Sequence, residues 1–100
     1  MTKEFVITEK YLELLVILDK ERSFTHASEA LGMNKMYAYQ AISKLEKGLG
    51  VKITAPTRKG RGRNVKFTRE GEAIVRDARF ALHHIEKLMN HGGKLNAGGQ

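Results

Sequence analysis

One hundred residues suffice for one small domain, and a 41% hydrophobic fraction is enough to build a core, which excludes a multidomain assembly and a disordered tail. The chain has no cysteine, which excludes disulfides, thiolate catalysis and Cys-based zinc sites and fits a reducing, cytoplasmic setting. Its net charge of +7 is concentrated: residues 35–69 carry ten bases and one acid, whereas residues 1–34 carry four bases and six acids and residues 70–100 four of each.

In chain order, "MTKEFVITEK" has no basic start followed by a long apolar run, and the longest apolar run, Leu14 to Leu18, is far short of a membrane span. No signal peptide or membrane partner is therefore expected. Phe5 to Ile7 is β-prone and reads as a small edge strand. Thr8 is placed to cap a first helix over Glu9 to Glu21, in which Tyr11, Leu14, Leu15 and Leu18 recur at helical spacing. Ser23 or Thr25 caps a second, two-turn helix with Ala27, Ala30 and Leu31 inward, and Gly32 suits the left-handed residue that ends it. Asn34 caps a third helix. Its stripe of Ala38, Ala41, Ile42, Leu45 and Leu49 faces the core, which turns Met36, Tyr39, Gln40, Ser43 and Lys47 to the other side. Lys35 and Tyr37 lie at its exposed start. "VKITAPT" and "NVKFT" read as two short strands around the basic loop "RKGRGR", a β-hairpin with Val65 and Phe67 alternating inward. Thr68 caps a last helix over residues 69–91, about 35 Å long at about 1.5 Å per residue. Its stripe is Ile74, Ala78, Ala81, Leu82, Ile85, Leu88 and Met89. The Gly-rich residues 92–100 read as a flexible tail.

Helix, helix, tight turn, helix, hairpin, helix is the plan of a winged helix-turn-helix: a mainly α fold with a small β-hairpin wing and a long C-terminal helix. Residues 1–67 form the body and residues 68–91 the last helix. A short second helix and a turn hold the third helix proud of the body, where its outward face fits the major groove of double-stranded DNA. The localised basic surface is the footprint of such a polyanion binder. The expected DNA-facing residues are Ser23, Thr25, Asn34, Lys35, Met36, Tyr37, Tyr39, Gln40, Ser43 and Lys44, together with Arg58, Lys59, Arg61 and Arg63 of the wing. Gln40 suits adenine, Lys35 guanine or a phosphate, and Met36 a thymine methyl. Tyr37 and Tyr39 either contact bases or pack against the wing or the second helix. Ser23 and Thr25 act as phosphate contacts or as caps. The wing arginines and lysine neutralise phosphates, and an arginine also fits a narrow minor groove.

The ordered set "RSFTHASEALGMNKMYAYQAISKLEKGLGVKI" resembles the N-terminal domain of LysR-type bacterial regulators. The matching pieces are Ser23-Phe24-Thr25, Leu31-Gly32, Ile42-Ser43-Lys44-Leu45-Glu46 and Leu49-Gly50-Val51, with "FTREGE" similar to the opening of that family's linker helix. "GMNKMYAYQAI" and the Gly-rich wing also resemble the DNA-binding domain of molybdate-responsive ModE-type regulators. Where the LysR pattern has Ser-Gln-Pro-Ala, this chain has Asn34-Lys35-Met36-Tyr37, so no base preference carries over. The resemblance covers about residues 8–88. It implies DNA binding and a homodimer built by antiparallel pairing of the last helices; the surplus apolar surface of that helix, Ile74, Ala78, Ala81, Leu82, Ile85, Leu88 and Met89, serves such a contact or a wide core face in a monomer. It implies no cofactor and no small-molecule effector site.

A sequence-specific regulator of transcription is thus the first expectation. The alternatives are a non-specific architectural protein of the nucleoid and a protein-interaction adaptor with an acidic partner. No nucleophile, base and orienter stand together as an enzyme would need. His26, His83, His84 and His91 lack the i, i+4 spacing that puts two metal ligands on one helix face.

Overall fold

The structure, a computed structural model, describes residues 5–55 and 65–98, the last of these, 92–98, as helical backbone. Four helices follow one another: α1 (Glu9–Glu21), α2 (Phe24–Leu31), α3 (Lys35–Leu49) and α4 (Arg69–Gly98). Each start has a local cause. The Tyr11 N–H donates to Thr8 Oγ1, that of His26 to Ser23 Oγ (3.1 Å) and that of Met36 to Asn34 Oδ1 (2.7 Å). The Gly71 N–H donates to Thr68 Oγ1 at 2.8 Å, and Glu70 and Glu72 place acids in the first turn of α4. These bonds satisfy amides that the helices leave without an internal partner. The tight turn after α2 rests on Gly32, whose φ of 65° lies in the left-handed region that L side chains avoid.

Helix α1 is central and packs on α2, α3 and α4. Its Leu14, Leu15 and Leu18, with Leu45 of α3 and Ile53, are the largest fully buried side chains. Each contributes about 1.5–3 kcal/mol by leaving water. Val75 and Ala78 bring α4 onto this core, and Val65 and Phe67 close it from the wing side. The base of the wing is one antiparallel bridge, Thr54 with Phe67. It is flanked by bonds from the Ala55 N–H to the Lys66 carbonyl (2.8 Å) and from the Thr68 N–H to the Ile53 carbonyl (2.9 Å). Helix α4 comes off this base at very close range. A Cβ on Gly71 would stand 2.0 Å from the Ile53 carbonyl oxygen, so only glycine lets the two backbones meet.

These elements make the winged helix-turn-helix expected, with four local corrections. Phe5 to Ile7 form no strand: no edge among the described residues pairs with them, and Phe5 instead packs its ring against the core beside Gly48 and Tyr11. Ala30 is exposed, because α2 seats Phe24, Ala27 and Ser28 against the core, a face that leaves Ala30 outside. Leu49, at the end of the α3 stripe, is 38% exposed, since the helix there has run past the core. Helix α4 continues through residues 92–98, where a tail was expected; glycine raises the entropic cost of a helix without forbidding it.

Candidate nucleic-acid interface

Burial of Ala38, Ala41, Ile42 and Leu45 fixes the rotation of α3. The opposite face is then available: Lys35, Met36, Tyr37, Tyr39, Gln40, Ser43 and Lys44 are all exposed, Met36 at 62% and Tyr37 at 45%. Met36 and Tyr37 therefore stand in solvent and fill no part of the core.

Two contacts pre-organise this face. The Lys35 ammonium donates to Thr25 Oγ1 at 3.2 Å, which draws the start of α3 and the start of α2 into one polar cluster. The Tyr39 ring stacks on Phe24, with centroids 4.1 Å apart and planes at 22°. Of the two readings for Tyr39, packing on the second helix therefore accounts for one ring face, while the residue remains 39% exposed. Ser23 is only 8% exposed and its hydroxyl accepts the His26 N–H, so its side chain serves as the α2 cap. Asn34 is exposed and its Oδ1 holds the Met36 N–H. Arg58, Lys59, Arg61 and Arg63 lie outside the described residues.

Glu46 has a role that spacing alone did not reveal. Its Oε2 accepts from the backbone N–H of Ile53 (2.9 Å) and of Thr54 (3.3 Å), and Oε1 lies 4.0 Å from the Lys52 ammonium. The carboxylate ties the far end of α3 to the first arm of the wing. The one available signal was its isolation, as the only acid among ten bases in residues 35–69. Lys47, already expected on the outward side of α3, and Lys52 are both exposed and extend the positive surface beyond the expected DNA-facing set.

The residues expected at a dimer contact divide into two groups. Ala78 is 3% exposed and lies in the chain's own core. Ile74, Ala81, Leu82 and Ile85 are half-buried, while Leu88 and Met89 are exposed at 68% and 65%. Ile7, Leu12, Leu49, Ile74 and Ala81 line an open apolar trough where α1, the end of α3 and α4 meet. Among the described residues no group of three or more His, Cys, Asp or Glu is gathered as a metal site would require, and no helix is long and apolar enough to cross a membrane.

A family model described as "Bacterial regulatory helix-turn-helix protein, lysR family" matches residues 10–72. The chain is 32% identical over 90 residues to the uncharacterized HTH-type transcriptional regulator YeeY of Escherichia coli, covering 87% of this chain and 28% of that protein. It is 36% identical over 69 residues to the HTH-type transcriptional regulator BudR of Klebsiella aerogenes, covering 69% of this chain and 46% of that protein. It therefore spans less than half the length of either relative. The DNA-binding domain of BenM, crystallised in a complex with catB site 1 DNA, superposes with a TM-score of 0.83 over 94% of this chain and 97% of that one. At 23% identity, that likeness is one of fold.

Proposed function

Since the chain belongs to the LysR family of bacterial regulatory helix-turn-helix proteins, we propose that it binds double-stranded DNA sequence-specifically, as a homodimer, and regulates transcription. The observation that carries this reading is the open face of α3: Lys35, Met36, Gln40, Ser43 and Lys44 are all exposed on a helix whose other side is locked into the core. An α-helix fits the major groove, and these side chains match what base edges offer there. Gln40 pairs with the two adenine groups, Lys35 reaches guanine or a phosphate, and Met36 covers a thymine methyl. Thr25, drawn to Lys35, adds a hydroxyl for the backbone.

The wing contributes through Arg58, Lys59, Arg61 and Arg63, which displace counterions from phosphates and supply sequence-independent affinity. The homodimer is formed by α4, with Ile74, Ala81, Leu82, Ile85, Leu88 and Met89 meeting the same face of a second copy. Ala78 is left out of that contact because it is buried within the chain. Two recognition helices related by a two-fold axis then read half-sites about 34 Å, or a multiple of it, apart. The site of action is the bacterial cytoplasm, on the nucleoid.

Selection of binding sites from a random duplex pool tests the reading. The expected result is an inverted repeat bound about 10³-fold or more tighter than unselected DNA at physiological salt. Equal affinity for all duplexes would replace it with an architectural role, and no affinity at moderate salt would replace it with a protein-interaction role.

A further inference from the structure

Arg22 is a base in a DNA-binding domain, and the simplest expectation is that it grips a phosphate. Its surroundings say otherwise. It closes α1 as the C-cap with φ 56°, the one described non-glycine residue at positive φ. That position ordinarily favours glycine, so an arginine there accepts a backbone penalty for the sake of its side chain.

Each nitrogen of the guanidinium has a partner within the chain. Nε donates to the Asp19 carbonyl (2.8 Å), Nη2 to Asp19 Oδ1 (3.0 Å) and Nη1 to the Val65 carbonyl (3.1 Å). The Arg22 carbonyl accepts the Val65 N–H at 2.9 Å, so both backbone groups of Val65 are held by this one residue. The guanidinium carbon also lies 5.2 Å from the centroid of the Phe67 ring, within cation–π range. Asp19 is itself fixed from the other side by the Arg79 guanidinium of α4. The fork is thus aimed at the returning arm of the wing, at its first described residue, Val65, and its carboxylate partner is anchored to α4.

We propose that Arg22 is a positioning residue for DNA binding: it sets the direction of the wing's returning arm by clamping Val65 and Phe67, without touching DNA itself. This rests on the reading of the wing as a phosphate contact. Arginine suits the task where lysine does not, because only a rigid planar fork can serve a carboxylate, two carbonyls and an aromatic face together.

The test measures affinity for a mixed-sequence duplex over a range of salt, for the wild type and for Arg22→Gly, Arg22→Lys, Asp19→Asn, the wing double variant Arg61→Ala/Arg63→Ala, and the wing variant combined with Arg22→Gly. Arg22→Gly keeps the left-handed backbone and removes the fork. Binding is expected to weaken about tenfold, with the salt slope falling by about two or more, which exceeds the loss of one contact. Lysine should not rescue, Asp19→Asn should move the slope in the same direction, and the combined variant should bind no more weakly than the wing variant alone. Circular dichroism confirms folding; should Arg22→Gly fail to fold, Arg22→Lys and Asp19→Asn carry the same slope criterion. Wild-type binding by Arg22→Gly, full rescue by lysine, or full additivity with the wing variant would overturn the assignment. A wing variant that binds with unchanged slope would instead remove the wing reading, and the role of Arg22 with it.

Discussion

Gly71→Ala offers a severe check on how α4 joins the body. A methyl group at this position would stand 2.0 Å from the Ile53 carbonyl oxygen, 2.9 Å from its carbon and 3.1 Å from its Cα. Ordinary contact is about 3.5–4.0 Å, and backbone cannot swing aside as a side chain can. The helix start or the wing arm must move by more than an ångström. Any such movement strains the bonds from the Thr68 N–H to the Ile53 carbonyl (2.9 Å) and from the Thr68 hydroxyl to the Lys52 carbonyl (2.6 Å). Overpacking costs about 1–3 kcal/mol and a weakened hydrogen bond about 1 kcal/mol, while alanine returns about 1 kcal/mol of helix propensity. The net loss is about 2 kcal/mol, equivalent to a fall in Tm of about 8–16 °C for a domain of this size. Urea unfolding followed by circular dichroism measures it directly. Gly48→Ala is the internal control, since the atoms its methyl meets at 2.5 Å belong to the half-buried Phe5 side chain, whose rotamer can adjust as backbone cannot. It should cost less than about 1 kcal/mol, because the gain in propensity offsets the displaced ring. Equal losses at the two glycines, or a Gly71→Ala protein as stable as the wild type, would refute the close approach.

Three further outcomes are expected. Gln40→Ala should leave the fold intact and cost about 1–3 kcal/mol on the selected site while sparing unselected DNA, read by competition binding; equal losses on both would take Gln40 out of base reading. Ile85→Asp should give a monomer in analytical ultracentrifugation and abolish tight operator binding, and a variant that remains dimeric would move the interface elsewhere on α4. Glu46→Ala should destabilise by about 2 kcal/mol in urea, because two amides of the wing arm lose a charged acceptor; a loss below about 0.5 kcal/mol would show that water replaces it without penalty.

The helices and the tight turn were legible in sequence because their causes are local. Thr8, Asn34, Gly32 and Gly50 act on amides or dihedrals within a few residues of themselves. The inward stripe of α3 followed from its period, and it correctly turned Met36, Tyr39, Gln40, Ser43 and Lys47 outward. Errors arose where a distant contact decides. The rotation of α2 is set by packing of Phe24 and Ala27 into the core, which left Ala30 at the surface. Phe5 to Ile7 have strand propensity but no edge among the described residues to pair with, so core packing of Phe5 prevails. Ala78 has the spacing of an interface residue and the position of a core residue, and only the placement of α1 tells the two apart. The tasks of Glu46 and Arg22 depend on backbone groups 7 and 43 residues away, which no periodicity encodes.

The carboxylate of Glu46 has a mechanical consequence. With one end of α3 held by its cap and the other stapled to the amides of Ile53 and Thr54, the helix cannot roll in its seat without dragging the first arm of the wing along. The spacing between α3 and the first arm at Ile53 and Thr54 is then fixed by this one side chain. On the DNA-binding reading proposed above, a duplex held by both would have to bend or change its groove width to comply, which favours sequences that deform easily.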